Sequence, residues 1–170
     1  MLYYQQEPKQ DLKQIFPIRD LECKHSRTLS QISLHWNNPN TFELFKGKQI
    51  PKMSAVKELP QEVKSVYCGE NQVVLIFPNT ESGDKYRLIT YDFSGKEKIN
   101  RTFNIEYNSV LVENERIIIY NESEILILNK RGEEKFSGSL GTNVVSIIPG
   151  SSPNKFLVVT SDKMKRVELK

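Results

Sequence analysis

From residue 63 onward, short apolar segments alternate with polar turn residues. The segment 72–77 is rich in β-branched and aromatic side chains, which are typical of strands, and a polar loop follows it. Residues 116–120, 124–128 and 155–160 are almost entirely apolar, as expected for strands covered on both faces. These segments have strand length, and the spacing of turn residues leaves no room for a helix of ordinary length. The pattern predicts an all-β fold.

A hairpin motif occurs twice in this region. Residues 89–98 align with residues 126–135. Each copy has a strand, an Asp or Asn, two intervening residues, a Gly, and charged residues at which the next strand begins. The acidic or amide side chain accepts hydrogen bonds from the turn backbone, and glycine supplies the positive φ that closes the turn. The two glycines, Gly95 and Gly132, are 37 residues apart.

The strand that precedes this hairpin also repeats. Residues 73–76, 117–120 and 157–160 each follow a polar break, and their starts lie 44 and 40 residues apart. A period near 40 with about four short strands per unit is typical of propeller blades. The chain is therefore predicted to be one domain, residues 1–170, with about four blades.

The predicted blades cover residues 15–58, 63–105, 107–141 and 143–170. The last blade lacks a strand, and residues 1–7 are a candidate to supply it, because such closure hides sheet edges that otherwise favour aggregation. The rival interpretation of residues 9–24 is a short helix with Leu12, Ile15 and Phe16 on one face. Strand, helix and disorder all stay open for the first 27 residues.

Residues 63–170 resemble the repeats of β-propeller proteins, in particular degenerate quinoprotein-like and WD-like blades. The resemblance depends on YDFSGKE at 91–97 and LNKRGEE at 128–134. It departs from WD repeats in lacking a Trp-Asp dipeptide and a Gly-His pair, and the single tryptophan is Trp36. The resemblance implies a propeller-like fold, complete or part of a larger ring, and transfers no functional residue. A β-sandwich or barrel built from the same strands is the alternative.

Composition and charge exclude several classes of protein. The chain has 38% hydrophobic and 26% charged residues, which is ordinary for a folded domain. Its net charge of +3 arises from 24 basic and 21 acidic side chains without a concentrated basic face, so no nucleic-acid partner is expected. No apolar run approaches the roughly 20 residues that cross a bilayer, so no membrane segment is expected in this chain. Without a secretory signal at its start, the expected location is cytoplasmic.

The candidate chemical groups are few. Cys23 and Cys68 are predicted to be buried thiols, with a single bridge between them as the alternative. Cys23 and His25 form a C-x-H pair, but a zinc site needs three or four ligands at recognisable spacing. No phosphate-binding glycine motif is present. The sequence therefore predicts no metal, no cofactor and no enzymatic activity.

Trp36, flanked by His35 and Asn37, is the candidate partner-binding site. A tryptophan beside a polar loop can anchor a protein interface, although capping the end of the core is the favoured interpretation of Trp36 itself. The favoured function is a non-catalytic protein-interaction scaffold whose partner is another protein or a second copy of the chain. The alternatives are a propeller that binds, or hydrolyses, a carbohydrate or small molecule on its axis, and a structural half-ring completed by another subunit.

Overall fold

The structure of the chain, a computed structural model, describes residues 20–24, 31–38, 40–47, 52–69, 71–81, 83–113, 116–152 and 154–169. These ranges contain fifteen β-strands and no helix. The strands form four antiparallel sheets, and each sheet uses strands that are consecutive along the chain. The prediction of an all-β, propeller-like fold is confirmed, and within the described residues the sheets form an open series that does not close into a ring.

The first sheet contains β1 (Asp20–Lys24), β2 (Gln31–Asn38), β3 (Thr41–Gly47) and β4 (Lys52–Glu58). The second sheet contains β5 (Ser65–Cys68), β6 (Gln72–Pro78), β7 (Tyr86–Asp92) and β8 (Glu97–Phe103). The third sheet contains β9 (Ser109–Glu113), β10 (Arg116–Tyr120), β11 (Glu124–Leu128) and β12 (Glu134–Ser139). The fourth sheet contains β13 (Val144–Pro149), β14 (Lys155–Thr160) and β15 (Met164–Glu168).

The second sheet is buried on both faces. Val73 and Leu75 of β6 belong to the core shared with Phe42 of the first sheet. Val74 and Ile76 alternate with them and belong to the core shared with the third sheet. Successive side chains of a strand point to opposite faces, so a strand covered on both faces must be apolar at every position. This explains the unbroken apolar run in the sequence.

The third sheet repeats this arrangement. Ile117 and Ile119 of β10 contact the second sheet, whereas Ile118 packs into the core formed with Phe156 of the fourth sheet. The guanidinium of Arg116 lies over the Phe156 ring, 5.1 Å from its centre. The sheets therefore pack face to face in sequence order, and the first strands of the second and third sheets, β5 and β9, contact each other.

The structure tests only part of the prediction for the beginning of the chain. The rival helix over residues 9–24 does not extend to its predicted end, because Asp20–Lys24 is a strand paired antiparallel with β2. Residues 1–7, the candidate for a fourth strand in the last blade, lie outside the described residues. The predicted blade boundaries likewise remain a prediction.

The repeated hairpin connects the third and fourth strands of both inner sheets. Gly95 and Gly132 have φ angles of 81° and 79°. A Cβ at Gly132 would lie 2.6 Å from Ile99 Cγ2 of β8, and a Cβ at Gly95 would lie 2.6 Å from Ala55 Cβ of β4. Each turn therefore rests on the last strand of the preceding sheet. Glycine is required there both for its positive φ and for the close approach.

Replacing Gly132 with alanine tests this contact against a matched control, Gly83. Gly83 also has positive φ, 118°, but a Cβ there meets nothing within 4 Å. We expect Gly132→Ala to lower the free energy of unfolding by about 1–3 kcal/mol more than Gly83→Ala does, because only Gly132 adds an overpacked contact. Urea denaturation measures the difference. Equal losses of unfolding free energy in the two variants would contradict the proposed contact. So would a loss caused by Gly132→Ala that is as large in an Ile99→Ala background as in the wild type.

Candidate functional site

Trp36, His35 and Asn37, the predicted partner-binding residues, lie in β2. The register places Trp36 opposite Phe42 and His35 opposite Glu43 of β3. The pairing shifts between Trp36 and Asn38, so Asn37 lies at this irregularity. Their side chains are outside the described part of the structure. Their role in binding therefore stays a prediction.

The described side chains offer no catalytic or metal-binding cluster. No group of three or more His, Cys, Asp and Glu residues is placed to hold a metal ion within the described ranges. Among these residues there is also no helix long and apolar enough to span a membrane.

Cys68 is disulfide-bonded, and the other half of the disulfide lies outside the described side chains. The prediction of a buried free thiol is therefore wrong for this residue. The sequence left the choice open because two cysteines 45 positions apart carry no spacing signal. Only the fold determines whether distant segments approach closely enough to form a bridge.

The hairpin carboxylate Asp92 has an organising role. Its Oδ1 accepts hydrogen bonds from the backbone N–H groups of Ser94 and Lys96 at 2.9 and 3.0 Å. Partial burial alone would raise the pKa of Asp92. Hydrogen bonds from Ser94, from Lys98 and from the turn backbone outweigh that effect and hold the pKa well below its usual range. Asp92 therefore stabilises a turn and is poorly suited to proton transfer near neutral pH.

Asn129 performs the same task in the third sheet. Its Oδ1 accepts from the backbone N–H groups of Arg131 and Glu133 at 2.9 and 3.0 Å. A neutral amide oxygen thus replaces the carboxylate with the same geometry. The predicted hairpin equivalence of the two segments is visible in their hydrogen bonds.

A cluster of polar and aromatic side chains joins the second sheet to residues 104–108, the segment that leads into the third sheet. The rings of Tyr86 and Tyr107 meet edge to face with centres 5.1 Å apart. The Tyr86 hydroxyl donates to the carboxylate of Glu106 and accepts from Lys64 Nζ at 3.1 Å. The hydroxyls of Tyr107 and Ser65 share a hydrogen bond of 2.6 Å.

This tyrosine cluster is built for rigidity. Burial raises the pKa of Tyr107, although its hydrogen bond with Ser65 opposes the shift. The other carboxylate oxygen of Glu106 accepts a hydrogen bond from Lys85 Nζ at 2.8 Å. The hydroxyls and the carboxylate are thus bonded within the cluster, which fixes the crossover between the two sheets.

The outer face of the fourth sheet carries apolar side chains on all three strands, among charged ones. On β14, Phe156 and Val158 point into the core, so Leu157 and Val159 point outward. The register places Ile148 opposite Leu157 and Met164 opposite Val159. Ile148 and Met164 are 50% and 68% exposed. We call Ile148, Leu157, Val159 and Met164 the fourth-sheet face.

The first sheet has a smaller apolar surface on β4. Val56 alternates with Ala55, which packs into the core shared with the second sheet, so Val56 points away from that core. Val56 pairs with Glu43 of β3, and Met53 pairs with Phe45. Because Glu43 and Phe45 are two positions apart on one strand, Val56 and Met53 lie on the same face of the sheet. Met53 and Val56 are 53% and 49% exposed, and we call them the first-sheet face.

All large hydrophobic side chains that are exposed within the described residues lie on these two end sheets. They are Met53, Val56, Val145, Ile148 and Met164. The described parts of the second and third sheets have none, because each is covered by neighbours on both sides. Exposed apolar side chains grouped on one surface mark interaction sites more often than scattered ones do.

Comparison with solved structures defines the fold class. The computationally designed Ika4 protein superposes with a TM-score of 0.54 at 11% identity, covering 84% of this chain and 87% of Ika4. Sqt1 of Saccharomyces cerevisiae superposes with a TM-score of 0.52 at 10% identity, covering 83% of this chain but 42% of Sqt1. At these identities the likeness supports a propeller-like fold and carries no function.

Residues 36–169 match the family described as "Family of unknown function (DUF5711)". The match spans most of the sequence, and the chain belongs to this family. No curated protein matches the sequence.

The low pKa of Asp92 predicts a pH dependence of stability. A carboxylate whose pKa is lower in the folded state than its ordinary value of 3.8 stabilises the fold above that value. This stabilisation is lost as the pH falls through the lower folded-state pKa. We expect Asp92→Asn to be less stable than the wild type at pH 7, and the difference to shrink below a pH of about 4. Urea denaturation across this range measures it, and parallel curves would contradict the assignment.

The state of Cys68 is directly testable. In protein that is purified and denatured without reductant, we expect the Cys68 peptide to resist alkylation by iodoacetamide. After reduction it should be alkylated almost completely, because only a free thiolate reacts. Peptide mass spectrometry measures both fractions. Full alkylation before reduction would show that the disulfide is absent from the protein.

Proposed function

We propose that the chain is a non-catalytic protein-interaction scaffold that binds through the outer faces of its two end sheets. The observation that carries this proposal is the placement of the exposed large hydrophobic side chains, which among the described residues occur on the first and fourth sheets alone. Apolar surface buried in an interface contributes roughly 25 cal/mol per Å² before the costs of association.

The rest of the described structure supports a scaffold. Asp92 is engaged in holding a hairpin of the second sheet, and the tyrosine cluster holds the segment that leads from the second sheet to the third. Two faces of the same stiff stack are thereby presented at fixed positions. A rigid surface loses little conformational entropy on binding, which favours recognition of another folded protein.

The disulfide of Cys68 bears on where this scaffold works. Disulfides persist in oxidising surroundings and are rare in the reducing cytosol. We therefore propose that the scaffold works in an oxidising compartment, in place of the cytoplasmic location expected from the sequence.

Site-specific photocrosslinking tests the scaffold function. Benzoylphenylalanine is introduced separately at positions 148 and 56, and at position 137 as a control, in cells that naturally make the chain. Ser137 is exposed on β12 of the third sheet, outside both faces. We expect protein adducts at positions 148 and 56 at several times the yield at position 137, because benzophenone reacts with bonds held in contact with it.

Mass spectrometry identifies the protein in each adduct. Adducts with a defined protein at both faces support the scaffold. The absence of protein adducts at both positions, or equal yields at all three, would overturn it.

A further inference from the structure

We infer that the protein bound at these faces is a second copy of this chain, with the fourth-sheet face of each copy packed on the first-sheet face of the other. The inference rests on the proposed scaffold function and names its partner. Two copies would form a closed ring of eight sheets, which is within the range of known propellers.

The first argument is the direction of the stack. Each sheet has one face toward the sheet before it in the sequence and one face toward the sheet after it. The three described interfaces each pack the second kind of face on the first kind, from the first sheet to the fourth. Within the described residues, no sheet covers the fourth-sheet face, which looks away from the third sheet, and none covers the first-sheet face, which looks away from the second. A fourth sheet packed on the first sheet of another copy would repeat the contact that already holds the chain together.

The second argument is chemical complementarity. Arg166 lies opposite Leu157 and is exposed beside the fourth-sheet face. Glu58 lies two positions after Val56 on β4, on the same side of the strand, and is also exposed. An apolar patch with a cation at its side therefore meets an apolar patch with a carboxylate. Two fourth-sheet faces placed together would instead combine two surfaces that each carry an arginine.

The third argument is size. The match with Sqt1 covers 83% of this chain but 42% of Sqt1, so Sqt1 is about twice as long as this chain, whereas the match with Ika4 covers 87% of Ika4. A second copy supplies a comparable length. Because two copies use both faces of each chain, the assembly closes and leaves no free face for further growth.

The first experiment measures the mass of the full chain by light scattering over a range of concentrations. We expect twice the chain mass of 19.7 kDa. Ile148→Lys and Val56→Glu should each weaken dimerisation by on the order of 100-fold, because each places an unpaired charge in both apolar contacts. Ser137→Asp is the matched control and should leave the dimer unchanged. At a concentration at which the wild type is also monomeric, unchanged urea midpoints show that the exposed substitutions leave each chain folded.

Mixing the variants tests the pairing of the faces. In a mixed dimer of Ile148→Lys and Val56→Glu, one contact is unaltered and the other pairs a lysine with a glutamate. The mixture should therefore dimerise at concentrations at which each variant alone is monomeric. A mixture of Ile148→Lys with Val56→Lys is the like-charge control and should bind more weakly than the mixture of opposite charges.

Several outcomes would overturn the second copy as partner. The first is a wild-type chain that stays monomeric. The second is a dimer that substitutions in only one of the two faces weaken. The third is a mixture of opposite-charge variants that does not dimerise. These failures are distinct from failure of the scaffold. A monomer that crosslinks to a different protein at positions 148 and 56 would overturn the dimer and leave the scaffold function standing.

Discussion

Face-to-face burial of neighbouring sheets is the interaction on which this structure depends. A four-stranded meander of this size has no interior of its own, and its apolar side chains leave water only when another sheet covers them. The second and third sheets satisfy this requirement on both sides, with Val73 and Val74, or Ile117 and Ile118, serving different cores from adjacent positions. The turns refine this packing because each contacts the preceding sheet, and the tyrosine cluster fixes the connection from the second sheet to the third.

The same constraint separates what could be predicted from what could not. The apolar runs 116–120 and 124–128 predicted strands covered on both faces, and the structure places them in an inner sheet. The same prediction is wrong for 155–160, which lies in an end sheet with Leu157 and Val159 only partly buried. The Asp92 and Asn129 hairpins were visible because their chemistry is local, within four residues of the turn. Strand existence and hairpin chemistry are short-range properties, and a single sequence records them well.

Long-range properties were hidden for a corresponding reason. The tyrosine cluster joins Ser65 to Tyr107 across 42 positions, and no local pattern marks two such residues as partners. For the same reason the disulfide of Cys68 was only the alternative to a free thiol. Ile148 and Met164 were unrecognised as surface because an apolar strand at the end of a stack has the same sequence as one inside it. The repeat itself was a usable signal, since an open series of sheets must leave a face at each end.

The hairpin glycines have a consequence for how such a chain changes in evolution. Gly95 and Gly132 seat each turn on the last strand of the preceding sheet, at Ala55 and Ile99. Duplication or loss of a whole four-strand unit reproduces this contact between turn and strand at the new junction. Insertion of a single strand would leave the following turn without one. Genes of this kind should therefore lengthen and shorten in steps of about 40 codons, the period of the repeat.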